Sequence, residues 1–167
     1  RSVTPEGAKE NQKRTVTPAN VQDLQFALPL GVRDALGGKT GALYGYLSTD
    51  PVTVGKSDYD RRLFAAVTPY QMHVKLGHFS TLIWVTNLAT GEAVKDAKVS
   101  VYSDSLTTLG APKDILANAA TDENGIASLP GTDVLDPELS LARGWSDEAP
   151  KLFVRVDKDG DMALMPL

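Results

Sequence analysis

The chain has 167 residues, 42% of them hydrophobic and 23% charged, which is enough for one domain, or for one domain plus part of another. A formal net charge of −4 excludes the strongly basic surface of a nucleic-acid-binding protein, so we expect no nucleic-acid partner. The absence of cysteine excludes disulfides, thiolate metal sites and cysteine nucleophiles. Because the chain begins at Arg1, we expect a fragment or a processed piece of a longer protein.

The first 60 residues predict a linker and two strands. Residues 1–20 are polar and lack apolar periodicity, which predicts a linker or a frayed terminus. The stretches LQFALPL (24–30) and GALYGYL (41–47) alternate with the period of a strand. These two strands are joined by a Gly-rich loop, and the polar residues 48–60 that follow predict a domain boundary. Two isolated strands are marginal in water, so these should dock on the rest of the chain or be poorly ordered.

Residues 61–167 predict a series of short strands separated by turns. Thr68-Pro69 separates the stretches RLFAAV and YQMHVKL. A proline inside a strand pattern marks a bend or an edge position, so we expect the strand to be interrupted there. STLIWVTNL is the strongest strand pattern, with both faces partly apolar, and we expect Trp84 to be a core aromatic. In AKVSVY the alternation predicts Ala97, Val99 and Val101 inward, with Lys98, Ser100 and Tyr102 outward.

The remaining elements complete an all-β pattern. KDILANAAT and GIASL read as strands, the latter after an Asn-Gly turn, and residues 130–150 read as a long loop. The closing stretch LFVRVDKDGDMALMPL predicts a hairpin around an Asp-Gly turn. About seven strands at regular spacing predict an antiparallel β-sandwich over residues 61–167.

Three patterns raise the question of chemistry. DKDGD places carboxylates at Asp157, Asp159 and Asp161, but the hairpin explains them better than a calcium loop, whose glycine and final glutamate have other positions. Gly38-Lys39-Thr40 matches only the end of a phosphate-binding loop. The two histidines, His73 and His78, have no partners at the spacing of a triad or a zinc site. We therefore assign no catalytic, cofactor-binding or metal-binding residue and expect no enzymatic activity.

Three aromatic residues are candidate interdomain contacts. Trp145 stands on the long acidic loop, where it would be either an interface anchor or a cover for the end of the sandwich. Tyr44 and Tyr46 face away from the leucines of their strand and would contact a neighbouring domain.

Several stretches together resemble the N-terminal macroglobulin-like domains of bacterial alpha-2-macroglobulins. They are LIWVTNLATGEAVKDAKVSVY, ATDENGIASLP and the closing hairpin, with GALYGYL similar to the last strand of the domain before. The resemblance covers residues 24–167 and implies a sandwich of the macroglobulin or fibronectin type III kind. It also implies that residues 21–60 end a preceding macroglobulin-like domain.

The resemblance further implies a periplasmic, inner-membrane-anchored lipoprotein that traps proteases. In that family a bait region is cleaved and a thioester, built on Cys-x-x-Gln, then bonds the protease. Neither feature is recognisable here, so this piece would be scaffold, in contact with neighbouring macroglobulin-like domains. It would meet proteases only through the full-length protein and a membrane only through a lipid anchor outside this fragment. The alternative is an immunoglobulin-like module of a bacterial adhesin or surface protein.

Overall fold

The computed structural model describes residues 1–9, 13, 15–17, 27, 29–48, 62–142 and 146–167. The strands are β1 Ser2–Thr4, β2 Gly7–Lys9, β3 Gly41–Tyr46, β4 Arg62–Val67, β5 Tyr70–Leu76, β6 Ser80–Asn87, β7 Lys98–Asp104, β8 Ile115–Ala120, β9 Ile126–Pro130, β10 Lys151–Lys158 and β11 Asp161–Pro166. Two single-turn helices, α1 Val32–Ala35 and α2 Thr132–Leu135, interrupt them.

The described strands form three antiparallel sheets. Their orders are β2-β1-β3-β4, β11-β10-β7-β8 and β5-β6-β9, called here the N-terminal, middle and outer sheets. The middle and outer sheets together contain seven strands, which confirms the predicted antiparallel sandwich. The N-terminal sheet lies on the other face of the middle sheet, so the central strands β7 and β10 are covered on both sides.

The first core fills the space between the middle and outer sheets. Alternate residues of each strand point into it, as the period of two requires. On β6 these are Thr81, Ile83 and Val85, at most 1% exposed. Aliphatic residues from the middle sheet complete the core: Val99 and Val101 from β7, and Leu152, Val154 and Val156 from β10.

The second core lies between the middle and N-terminal sheets. It contains Val3, Ala42, Tyr44, Tyr102, Leu109, Phe153, Met162 and Leu164. The rings of Tyr102 and Phe153 stack with centroids 5.8 Å apart. The prediction that Ser100 and Tyr102 face outward to the surface is therefore wrong. They are 2% and 1% exposed, because the N-terminal sheet covers their face of β7.

The N-terminal part differs from the expectation in two respects. Residues 1–9 form the hairpin of β1 and β2 rather than a linker, because Val3 is fully buried in the second core and β1 pairs with β3. Strand β4 pairs with β3 in the N-terminal sheet rather than joining the sandwich predicted for residues 61–167, so the break at Thr68-Pro69 separates strands of different sheets.

The other expectations for the first 60 residues have mixed outcomes. The strand predicted for 41–47 is confirmed as β3, and it docks on the middle sheet. Most of the strand predicted for 24–30 lies outside the described residues. The division of the chain at residues 20 and 60 stays a prediction.

The closing hairpin is confirmed. β10 and β11 pair from Phe153↔Pro166 to Lys158↔Asp161. Asp159 and Gly160 form the turn with φ of 52° and 83°, and this left-handed backbone suits aspartate and glycine.

Candidate functional site

The three aromatic residues proposed as interdomain contacts have different positions. Tyr44 is 4% exposed in the second core, between the N-terminal and middle sheets. Tyr46 is 55% exposed, and its ring meets that of Tyr44 edge-on at 5.3 Å. Trp145 lies outside the described residues. Tyr44 thus contacts residues on the far side of the predicted boundary, while a role for the three in contacts with further domains stays a prediction.

Asp147 joins strands β3 and β4 of the N-terminal sheet to the loop after β7, at the edge of the second core. Its carboxylate accepts a hydrogen bond from the Tyr44 hydroxyl at 2.5 Å and forms an ion pair with the Arg62 guanidinium at 2.5 Å. Its backbone carbonyl accepts from Leu106 N–H at 3.0 Å. Burial, followed by the neighbouring carboxylate, raises the pKa of Tyr44 above its usual value, so the phenol stays a proton donor. We call Tyr44, Arg62 and Asp147 the Asp147 cluster.

A second buried carboxylate organises the long loop after β9. Asp136 is 3% exposed and accepts hydrogen bonds from the Ser140, Leu141 and Ala142 backbone amides, each at 2.9 Å, and from the Ser140 hydroxyl at 3.2 Å. Burial by itself raises the pKa of a carboxyl, but these donors favour the ionised form and lower the pKa of Asp136 overall. The loop is therefore held in shape immediately before residue 143.

The residues with candidate chemistry are engaged in the fold. Asp157 accepts a bidentate pair of bonds from Arg155, and Asp159 is in the hairpin turn. Lys39 is paired with Glu6, while the Thr40 hydroxyl accepts from Met162 N–H at 3.2 Å. No group of three or more potential metal ligands occurs among the residues that the structure describes.

The histidines lie on the outer sheet and at its end. The His73 ring lies against Trp84 with centroids 5.3 Å apart, and His78 Nδ1 is 3.3 Å from the Thr132 hydroxyl. Trp84 itself is 42% exposed, so its predicted place in the core is wrong. Both faces of β6 carry apolar residues, and the side with Thr81, Ile83 and Val85 packs inward instead.

An open groove of about 260 Å³ lies between the β1–β2 turn and the end of the middle sheet. Its polar walls include Lys98, Ser100 and the Arg155–Asp157 pair. The Arg155 guanidinium in this groove is paired with Asp157, whereas Lys98 is exposed. Nothing in its geometry suggests a reaction.

Sequence reasoning missed the Asp147 and Asp136 contacts. Tyr44 and Asp147 are 103 positions apart, and no local pattern connects them. The pair Asp136-Pro137 does predict a turn, because aspartate before proline favours turn formation. The four hydrogen-bond donors to the Asp136 carboxylate, however, come from residues that form no recognisable motif.

Among the described residues, no helix is long and apolar enough to cross a membrane. A family model described as "Bacterial alpha-2-macroglobulin MG3 domain" matches residues 67–167, more than half of the chain. A search of curated proteins found no match.

Two solved structures of native alpha-2-macroglobulin from Escherichia coli are similar to the chain. The one spanning domains MG0-NIE-MG1 has a TM-score of 0.54 and 19% identity, and the match covers 91% of this chain and 41% of that chain. The one spanning domains NIE-MG1 has a TM-score of 0.53 and 19% identity, with coverage of 91% and 60%. This likeness shows a shared fold, and this chain spans less than two thirds of either of those chains.

Proposed function

The chain belongs to the bacterial alpha-2-macroglobulin family through its MG3 domain, and we propose from this membership that it is a non-catalytic scaffold domain of a protease-trapping inhibitor. The parent chain, meaning the longer protein of which this chain is part, would carry the bait region and any thioester in other domains. Proteases would be partners of the parent chain rather than of this domain.

One observation supports the scaffold role above the others. The central strands β7 and β10 of the middle sheet are buried on both faces, and residues of β10 alternate between the two cores: Val154 faces the outer sheet and Phe153 the N-terminal sheet. A displacement of either neighbouring sheet would open one of two close-packed cores, which resist small deformations. A three-layer domain of this kind would hold the neighbouring domains of the parent chain at fixed positions, which a trap requires when it closes around a protease.

The proposed setting is the periplasm, with the parent chain anchored to the inner membrane by a lipid outside this fragment. This setting follows from the family resemblance. Fractionation of the native envelope, followed by immunoblotting with an antibody against this domain, tests it. Signal in the soluble fraction of the cytoplasm would contradict the proposal.

The trap itself is tested on the parent chain purified from the envelope. A limiting amount of protease is added with and without prior methylamine, which opens a thioester, and adducts are separated on denaturing gels. A covalent adduct that methylamine abolishes is the expected result for a thioester trap. Protease that forms no adduct but is sheltered from large substrates would indicate a non-covalent trap. Neither adduct nor shelter would overturn the proposal and favour the adhesin-type module.

A further inference from the structure

We propose that the outward face of the outer sheet docks against an acidic surface of another domain of the same parent chain. This face, called the Trp84 face, consists of Gln71, His73, Lys75, Leu82, Trp84, Ile126 and Ser128. The inference rests on the proposed role as one domain of a multidomain protein. It adds the surface that carries the contact and the charge that its partner must present.

The Trp84 face leaves large apolar side chains exposed. Leu82 and Trp84 are 40% and 42% exposed, whereas their neighbours Ile83 and Val85 on the inner side of β6 are fully buried. Phe79, at the turn that leads into β6, is 81% exposed. Cross-strand pairing places His73 and Ile126 on either side of Trp84, and Lys75 and Ser128 on either side of Leu82. Exposed apolar side chains with polar residues around them are typical of a protein–protein contact.

The tryptophan is held in place before any partner arrives. Its Nε1–H donates to the Asn124 carbonyl at 3.1 Å, and the His73 ring lies against it with centroids 5.3 Å apart. A large aromatic ring that is fixed by its neighbours loses little conformational entropy on binding. Such residues are typical interface anchors.

The charge of the Trp84 face indicates the charge of its partner. Lys75 is the only formally charged side chain among the seven residues of the face, and it is exposed. No carboxylate of the described part of the chain lies within 4.0 Å of its ammonium group. A partner that supplies a carboxylate opposite Lys75 would complement the face, and one that supplies a cation would be repelled.

The same charge argues against a second copy of this chain as the partner. A twofold contact would place the Trp84 face against itself, and none of the seven residues of that face supplies a carboxylate to Lys75 of the other copy. The face is also half polar, which is typical of contacts between domains of one chain. A covalent connection supplies a high effective concentration, so that a modest patch is sufficient.

Zero-length carbodiimide cross-linking tests the proposal on the intact parent chain, since this reagent joins a lysine only to a carboxylate in direct contact. The expected product links Lys75 to an aspartate or glutamate of another domain, and peptide mass spectrometry identifies it. Mixing ¹⁴N- and ¹⁵N-labelled protein before the reaction separates links within a chain from links between chains. Links between chains, links only to residues 62–167, or no link at Lys75 while other lysines react would each overturn the proposal.

Matched variants connect the link to the Trp84 face. Trp84→Ser and Leu82→Ser should each reduce the Lys75 link at least ~5-fold, because they remove the anchor or its neighbour. Ile115→Ser is the control, because Ile115 is also 42% exposed but belongs to β8 of the middle sheet. An equal loss in all three variants would overturn the assignment to this face. A negative trapping assay combined with an intact Lys75 link would refute the protease trap and leave the docking surface standing.

Discussion

The hydroxyl of Tyr44 donates a hydrogen bond to the carboxylate of Asp147 at 2.5 Å, and this contact joins strand β3 to the loop before β10. The same carboxylate oxygen accepts a hydrogen bond from the guanidinium of Arg62 on strand β4. One acidic residue of the long loop thereby connects two strands of the N-terminal sheet to the segment that leads into the middle sheet.

Replacement of Tyr44 by Phe should lower the free energy of unfolding by about 1–2 kcal/mol, since a hydrogen bond to a charged group is lost from a buried site. Asp147→Asn should cost at least as much, because it also removes the charge opposite Arg62. Urea unfolding of both single variants and of the double variant gives the coupling energy between the two positions. Strictly additive losses would contradict a direct contact.

Asp136 predicts a pH dependence of stability with a defined sign. Its pKa is lowered in the folded protein, so its carboxylate stabilises the fold above the unfolded-state pKa of about 3.9, and this contribution is lost as the pH falls through the lower folded value. Asp136→Asn should therefore be clearly less stable than the wild type at pH 7. The difference should shrink towards pH 3 and below, where the wild-type carboxyl also becomes protonated.

Urea midpoints at pH 7, 5, 4 and 3 measure this effect. Asp133→Asn is the control, because Asp133 belongs to the same short helix region but its side chain is exposed. A difference between wild type and Asp136→Asn that grows at low pH would show that the carboxylate is not the stabilising species.

The alternation of apolar residues predicted the strands well, but it did not predict which faces are covered. In β7 the pattern puts Ser100 and Tyr102 opposite the valines, and their burial depends on a layer built from residues far earlier in the chain. In β6 both faces carry apolar residues, so local sequence gives no reason for Trp84 to be outside. The hairpin of residues 1–9 has only one residue in the core, Val3, too little for a periodic signal. The local alternation of apolar residues determines which segments form strands, whereas the stacking of the sheets depends on contacts between distant segments.

Two glycines should respond to alanine for different physical reasons. A Cβ at Gly131 would lie 2.0 Å from the His78 carbonyl oxygen, so the backbone itself would have to move, and we expect a loss of about 3 kcal/mol or more. Gly160 has open space around it but a φ of 83°, and alanine there should cost only about 1 kcal/mol. Thermal unfolding of both variants compares them directly. Equal losses would mean that the close approach at Gly131 is relieved without cost.

The buried hydroxyl of Tyr102 gives a prediction of opposite sign. Tyr102 is 1% exposed and its hydroxyl has no hydrogen-bond partner in the described part of the chain, while its ring stacks on Phe153. A buried hydroxyl without a partner costs desolvation energy that no bond returns. Tyr102→Phe keeps the ring and removes this cost, so the variant should be as stable as the wild type or more stable by up to about 1 kcal/mol.

Tyr70→Phe is the matched comparison, because its hydroxyl is used. Tyr70 is 8% exposed and donates to the Lys158 carbonyl at 2.9 Å, connecting β5 to the end of β10. Removing this donor should destabilise the protein by about 1 kcal/mol. Urea unfolding of the two variants under identical conditions should move the midpoints in opposite directions, or move only that of Tyr70→Phe. A clear loss of stability in Tyr102→Phe would instead show that its hydroxyl has a partner in solution, such as a water molecule bound near Arg155.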